Sequence, residues 1–434
     1  MHGRCLLSLK AKMNLLISKF RFYLDVVKMG LSADQHKNLI KCDLLFICHD
    51  ADRPLKLNGA AYAPLIDSVR EDFEQRGFKC ISVAHYGSKL TGSKAFGYSI
   101  SLNRKYLYYL IIGKLFTFLR LETFFQMPNF YNYLLKKTTP KVIIAIGTTA
   151  PLCKLARANG ILVVELLHGT GYKFIPWGWD KREANNLPNL ILSLDETSSL
   201  SLSLLLRFDI KIFTIPNPFL KRFLPTKFDL LPNEWKVVFG NGYKKKILIS
   251  LSWGYWGDHD EFTEFSDVLT NGLFYDELAD LIKSEQNIFW CFRLHPVQMA
   301  LDKYRDLRKF LDDFVKSNIN CEWIQTSNLP LPVVATNCSG NITMASMSSY
   351  DVAAMGVPSL MLCPTIQQGG IHEDWFEDLV NEGYVTKHGV DRLFLKNWVQ
   401  STEKIEPRLS NLKDEGGWEN AVEWLLSESG LKRS

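Results

Sequence analysis

The chain has 434 residues, of which 47 % are hydrophobic, 12 % aromatic and 22 % charged, values that exclude a disordered protein and supply two hydrophobic cores. The length suits two domains of roughly 150–250 residues each. Residues 1–140 hold 21 Lys plus Arg against 10 Asp plus Glu, a balance of +11 that leaves −6 for the remainder of a chain whose net charge is +5.

A basic N-terminal half suits an anionic partner such as a lipid surface or a lipid-linked phosphate, and equally a generally basic solvated surface. The cations follow no helix-turn-helix or zinc-finger pattern, so nucleic acid is not expected as a partner. Nine scattered cysteines without a Cys-x-x-Cys pair imply neither a zinc ribbon nor a disulfide framework. They fit reduced thiols and a cytoplasmic setting. Residues 15–18 are too short an apolar patch for a signal core, and Lys19 and Arg21 follow at once.

Residues 1–40 read as a basic leader. The run 44–48 ends in His49-Asp50-Ala51-Asp52-Arg53, the pattern of a buried parallel strand delivering a polar loop. A helix is expected over 61–76, stopped by Gly77, and a second strand over 79–84. The segment 106–118 is strongly apolar but broken by Lys114 and Arg120, so it does not reach the roughly 18 uninterrupted apolar residues of a membrane span. It admits two readings: an interfacial helix with its aromatics and cations at headgroup level, or a buried helix with a snorkelling Lys114.

Strands follow over 141–146, 161–167, 190–193 and 211–215, with a helix over 152–158. Strands alternating with helices argue for a parallel α/β domain spanning 41–218, whose ligands gather beyond the carboxyl ends of the strands. Residues 219–245, with Pro225 and Pro232, read as a linker. A second α/β domain over 246–400 restarts with the strand 247–252 and the loop Trp253-Gly254-Tyr255-Trp256-Gly257. It continues through helix 275–285, strand 287–292, helix 302–317 and strand 359–363. The C-terminal segment 401–434 holds an amphipathic helix at 418–426 that packs back on the first domain in one reading.

Two motifs in the second domain carry the strongest chemistry. Arg293-Leu294-His295-Pro296 closes a strand, and Pro296 holds His295 extended. Fifty residues on, Ser346, Ser348 and Ser349 precede a helix with Asp351 near its start. Capping needs one hydroxyl; three, beside Asn341 and Thr343, suit a phosphate at a helix start, with the guanidinium as a bidentate partner. The bland readings are a loop histidine that caps a helix and a serine that does the same.

In the first domain, His168 follows a strand and precedes Gly169-Thr170-Gly171, where a backbone can approach a ligand closely. It is a candidate base or acceptor contact. Glu165, inside the strand, reads as structural. Asp50 and Asp52 sit at a strand end and suit proton abstraction from a hydroxyl. Asp50-Ala51-Asp52 and Asp258-His259-Asp260 both spell Asp-x-Asp, a pattern too common to imply a metal, and none is expected. Gly-x-Gly-x-x-Gly, P-loop, His-Glu-x-x-His and Gly-x-Ser-x-Gly signatures are missing.

These motifs resemble those of two-domain GT-B glycosyltransferases of bacterial capsule and O-antigen synthesis. Leu166-Leu167-His168-Gly169 looks like their Leu-Gln-His-Gly segment, with Leu167 in place of the glutamine. Arg293-Leu294-His295-Pro296 and Ser348-Ser349 resemble the His-Pro and serine-pair motifs of bacterial sialyltransferases and capsular Kdo transferases. The resemblance implies two Rossmann-like domains facing across a cleft and a nucleotide-sugar donor bound by Arg293, His295, Ser346, Ser348 and Ser349. Asp50, Asp52 or His168 would act as base on a saccharide or lipid-linked acceptor. No cofactor is implied, and a peripheral site on the inner face of the plasma membrane suits the basic N-terminal half. The sialyltransferases' paired acidic residue plus glycine has no counterpart here. Two rivals share the pattern: a non-hydrolysing nucleotide-sugar 2-epimerase, whose Ser-Gly-Gly is replaced here by Met347-Ser348-Ser349, and a non-catalytic nucleotide- or polysaccharide-binding relative.

Overall fold

The computed structural model describes residues 38–84, 87–118, 129–173, 175–223, 231–255, 268–269, 271–408 and 416–432. Most of the basic leader, the Asp258-His259-Asp260 triplet, Arg120, the Lys114 side chain and residues 224–230 of the expected linker lie outside them. The chain divides into two compact units. One holds the described residues up to His168, then Tyr172–Ile215 and the C-terminal stretch from Gly416. The other holds Gly169–Gly171 and Pro216–Glu415.

The first unit is built on β1 (Leu44–Cys48). A two-stranded antiparallel hairpin follows, β2 (Leu55–Leu57) and β3 (Ala60–Tyr62), then α1 (Pro64–Gln75) and β4 (Cys80–Ala84). Next come α2 (Asn103–Phe118), α3 (Phe130–Thr138), β5 (Val142–Ala145), α4 (Ala150–Ala158), β6 (Leu162–Leu166), β7 (Leu190–Ser193), α5 (Glu196–Leu202) and β8 (Lys211–Thr214). The main sheet has the order β4-β1-β5-β6-β7-β8, and every pairing is parallel. Its inner strands β1, β5, β6 and β7 are buried on both faces, which explains their largely apolar runs, while the edge strand β8 is half-buried. Leu44, Phe46 and Cys48 join the core under Ile66, Val69 and Phe73 of α1. Leu45 and Ile47 join the opposite core with Leu134, Leu135 of α3 and Leu152, Cys153, Ala156 of α4. This is the period-two alternation of a strand sandwiched between helix layers.

The C-terminal helix Gly417–Ser429 completes the first of these cores. Trp418, Ala421, Val422 and Leu425 are buried in it beside Phe73 and Ile215. The Trp418 ring meets Phe73 edge-on at 5.8 Å, and its indole N–H donates to Asp72 at 3.1 Å. Arg76 ties Asp72 at 2.6 Å and Glu419 at 2.5 Å. A Cβ on Gly417 would stand 2.3 Å from the Thr214 carbonyl oxygen, so the helix can start this close to β8 only with glycine.

The second unit runs β9 (Lys245–Ser250), α6 (Asp276–Ser284), β10 (Ile288–Arg293), α7 (Pro296–Ala300), α8 (Arg305–Lys316), β11 (Cys321–Glu322), α9 (Ile324–Asn328) and α10 (Leu331–Asn337). It continues with β12 (Gly340–Thr343), α11 (Ser348–Ala354), β13 (Ser359–Met361), α12 (Glu377–Asn381), β14 (Val385–Lys387) and α13 (Arg392–Ser401). The sheet order is β11-β10-β9-β12-β13-β14, all parallel. Numbered within the unit this is 3-2-1-4-5-6, the order of dinucleotide-binding Rossmann sheets. The order reverses between β9 and β12, so the loops leaving those strands diverge and open a crevice there.

Central strand β12 has no apolar run, and sequence patterning does not find it. Its Asn341 is fully buried because the sheet supplies both polar partners: Ser250 Oγ donates to Asn341 Oδ1 at 2.7 Å, and Asn341 Nδ2 donates to Ser359 Oγ at 2.9 Å. Thr343 Oγ1 donates to the Ser250 carbonyl at 2.7 Å. Asn341 and Thr343, which stand near the three serines in the sequence, thus use these polar groups within the sheet.

Replacing Trp418 with Ala empties part of a core that includes β1 and α1 and leaves Asp72 with one donor fewer. Loss of about 3–5 kcal/mol is expected for such a change, read as an earlier chemical-denaturation transition and faster proteolysis at the C-terminal helix. An unchanged transition would show that the helix is not part of the first unit's folding core.

Candidate functional site

The two units each gather polar side chains at the switch point of their own sheet. In the second unit, β9, β10 and β12 deliver the loops that begin at Leu251, Leu294 and Met344. His295 is the N-cap of α7, with φ −64° and ψ 145°, extended as Pro296 requires. Its Nδ1 accepts from the Val297 amide at 3.2 Å, and its own amide donates to Gln298 Oε1 at 2.9 Å. The buried Gln298 amide in turn reaches the Ser252 carbonyl at 3.4 Å, which joins the β10 loop to the β9 loop. Trp253 places its indole over the imidazole, with centroids 5.8 Å apart and planes 30° apart.

The capping reading and the functional reading of His295 are thus compatible. Because Nδ1 is an acceptor, the ring proton sits on Nε2. Burial, with the Arg293 charge acting in the same direction, pushes the pKa down to about 4. His295 is therefore a neutral N–H donor at pH 7, fixed in tautomer and orientation. Gln298, three residues on, is the acceptor half of a capping box; histidine in the cap position hides the pattern from a Ser/Thr/Asp/Asn search.

Arg293 is partly buried at the end of β10, and its Nη1 donates to the carbonyls of Thr326 and Leu329, the latter at 2.7 Å. Burial lowers its pKa to about 10, against the pull of Asp351, so it stays cationic at neutral pH. Asp351 in α11 is raised to about 6 by burial, with Arg293 opposing. The guanidinium thus anchors the α9 turn with one nitrogen, a restraint on the bidentate role expected from sequence.

The serines separate. Ser346 and Ser348 share a hydrogen bond at 2.8 Å, and the Ser348 amide donates to Ser346 Oγ at 3.3 Å, so both hydroxyls lie together in the turn that opens α11. Ser349 is fully buried, and its hydroxyl has no partner among the described residues. Its side chain is less accessible than those of Ser346 and Ser348, about 100° further round the helix than that of Ser348.

In the first unit the switch point falls between β1 and β5. Asp50 opens a single 3-10 turn, Asp50–Asp52, directly after β1. One of its oxygens accepts a short hydrogen bond from the Ser88 hydroxyl and the other accepts from the Lys89 amide at 2.9 Å. Asp52 Oδ2 accepts from the His49 amide at 3.1 Å. Asp50 thus fixes the loop around Ser88, a positioning task beside which its expected role as a base is a proposal.

The β5 loop is held from beneath. Glu165 on β6 is fully buried, and its two oxygens accept from the amides of Gly147 and Thr148, each at 2.7 Å. Burial raises its pKa to about 7, while these two amides pull it down. The structural role read from its position in the strand becomes a specific one, the clamp of the switch-point loop. His168 leaves β6 two residues after its end and is exposed. Its pKa is lowered by loss of solvation, and Asp52 opposes that shift. Tyr172 OH lies 3.4 Å from His168 Nε2. Of the two aspartates, Asp52 is therefore the one whose charge acts on His168. Among the described residues no cluster of three or more His, Cys, Asp or Glu is arranged to hold a metal ion.

Two measurements follow from these environments. The His295 pKa is lower in the folded protein than its ordinary 6.5, so the unfolded chain binds more protons between those values. Its contribution to stability is complete above about pH 6.5 and is lost as pH falls toward 4. A pH series of denaturation midpoints is expected to decline over that window more steeply for the native chain than for His295→Gln; parallel curves would contradict it. For Glu165→Ala, which leaves the buried Thr148 amide and the more exposed Gly147 amide without their partner, a loss of roughly 1–3 kcal/mol is expected, with faster hydrogen exchange at Gly147 and Thr148 as the local signature.

No protein-family model matches the chain, and no curated protein matches it in sequence. Solved structures do match in fold. The UDP-GlcNAc 2-epimerase from Methanocaldococcus jannaschii superposes with a TM-score of 0.54 at 15 % identity, over 88 % of this chain and 99 % of that one. The wall teichoic acid polymerase TagF gives 0.51 at 12 % identity, over 95 % and 98 %. A TagF variant soaked with CDPG gives 0.53 at 12 % identity, over 98 % and 96 %. At such identities the likeness concerns architecture alone, and it agrees with the two parallel sheets described above. The chain has the GT-B fold, with two Rossmann-like domains.

Proposed function

We propose that this protein is a glycosyltransferase that moves a sugar from a nucleotide-sugar donor to a saccharide or lipid-linked acceptor in bacterial surface polysaccharide synthesis, without a metal. The observation that carries the reading is His295. A half-buried imidazole held neutral, with its proton fixed on Nε2, is a preorganised donor to a phosphoryl oxygen and needs no reorganisation as charge develops. Ser346 and Ser348 add hydroxyl donors, and Arg293 adds a positive charge. As the bond between the sugar and the phosphate breaks, its electron pair passes to the nucleotide phosphate, where these groups stabilise it. In the first unit, His168 accepts the proton of the attacking hydroxyl, and Asp52 stabilises the imidazolium that results.

The epimerase reading is kept because the structures of similar fold include a UDP-GlcNAc 2-epimerase. Against it stands Met347-Ser348-Ser349 in place of Ser-Gly-Gly. Incubation with a UDP-sugar and no acceptor separates the two, since only an epimerase converts the sugar unaided.

The transferase reading is tested by thermal stabilisation with CMP, UDP, GDP and CDP, because a ligand that binds only the folded state raises its apparent stability. At least one is expected to raise the melting temperature. The His295→Ala, Ser348→Ala double variant is expected to lose that shift and to reduce transfer at least a hundredfold, about 2.7 kcal/mol in the barrier. Unchanged donor affinity and turnover in that variant would reject the assignment.

A further inference from the structure

Helix α2 is the anomaly of the first unit. Asn103–Phe118 contains no acidic residue, and its side chains are predominantly apolar or aromatic. Yet none of the side chains described between Arg104 and Leu115 is buried. Tyr108, Ile111 and Leu115 are 53 %, 56 % and 50 % exposed. Their spacing of i, i+3 and i+7 puts them on one stripe of the helix. The sequence allowed a buried helix or an interfacial one, and the exposure removes the first.

The surroundings of the stripe are cationic and aromatic. Lys105 Nζ lies 5.6 Å from the Tyr108 ring and 5.1 Å from that of Tyr133 in α3. Tyr109 and Tyr133 are in contact at 6.0 Å, and Tyr106 meets Phe130 at 5.3 Å. Over residues 80–140 the sequence holds eight Lys or Arg and a single acid, Glu122. Tyrosines beside cations, around an apolar stripe too short to span a bilayer, match the chemistry of the membrane–water interface.

We propose that α2 docks the first unit on an anionic lipid surface, with Tyr108, Ile111 and Leu115 entering the headgroup–acyl boundary and Arg104 and Lys105 meeting lipid phosphates. A second copy of the chain is a poorer occupant. Three residues on one helix stripe fall far short of the roughly 800 Å² per partner of a stable interface, and two such faces would bring like charges together. The helix is also wired to the candidate site. Its first residue, Asn103, accepts from the Gly87 amide at 2.9 Å and donates to the Ser88 carbonyl at 3.2 Å, and the Ser88 hydroxyl donates to Asp50. In α3, Tyr131 OH accepts from Thr149 at the start of α4, 3.2 Å away. A lipid-linked acceptor would thus be held on the surface adjoining the loops that carry Asp50 and Thr149. This last step rests on the transferase reading; lipid docking itself does not.

Flotation of the full chain with vesicles tests the proposal without requiring turnover. Binding is expected to vesicles containing phosphatidylglycerol, to be much weaker to phosphatidylcholine alone, and to decline with salt. Ile111→Glu with Leu115→Glu is expected to abolish binding, and Arg104→Glu to weaken it several-fold, both with the native melting temperature. Failure of the native chain to bind phosphatidylglycerol vesicles, or native-like binding by the double variant, overturns the proposal. A fall in oligomeric mass in the double variant would assign the face to a second copy and also overturn it. If vesicles bind but no nucleotide does, the transferase reading fails while the docking helix stands.

Discussion

The buried amide of Asn341 is the interaction on which the second unit's site depends. A Rossmann sheet creates its crevice where the strand order reverses, and here that point lies between β9 and β12. Asn341 sits on β12 and bonds Ser250 on one side and Ser359 on the other. It therefore fixes three strands in register at the place where their outgoing loops part. A buried amide is tolerated only when its donors and acceptors are satisfied. Any slip of β12 would break both bonds at once, so the same group that costs solvation also specifies alignment. Ser346 and Ser348 inherit their position from that alignment.

The first unit solves the same problem with a charge-bearing group. Glu165 reaches across from β6 and takes the two amides of the β5 loop. Parallel strands leave their outgoing loops with few backbone partners, and side chains from neighbouring strands supply what is lacking. Asp50 plays the corresponding part for the loop around Ser88. In both units a buried or partly buried polar side chain governs the shape of a loop, and the candidate site residues stand nearby with more access to solvent. His168 and Asp52 are exposed and half-buried in one unit, and Ser346 and Ser348 are half-buried in the other.

Apolar runs made most of the architecture legible in the sequence. β1, β5, β7 and β10 are largely apolar stretches, and β6 is one interrupted only by Glu165, because helices cover both sides of each sheet. β12 was not legible, since Gly-Asn-Ile-Thr lacks the pattern, and its burial depends on partners ninety residues upstream and eighteen downstream in β9 and β13. The β2–β3 hairpin and the short helices α9 and α10 also gave no clear period. Among the site residues, sequence placed His295 at a strand end but could not give its tautomer, which Val297 sets. It grouped Ser349 with Ser346 and Ser348 and carried no sign of its deeper burial. It placed Asp50 at a strand end but not its partners, because Ser88 and Lys89 lie almost forty positions away.

The return of the C-terminal helix to the first unit has a consequence for biosynthesis. Trp418, Ala421, Val422 and Leu425 belong to the same core as Leu44 and Phe46, yet they are made more than 350 residues later. The second unit's strands, from Lys245 to Lys387, are all synthesised before that core can close. On the ribosome the order of completion is therefore inverted: the later unit can finish first, and the earlier one waits with an apolar face of β1 and α1 uncovered until the helix Gly417–Ser429 emerges. A chaperone that shields this face would act on the nascent chain throughout the synthesis of the second unit.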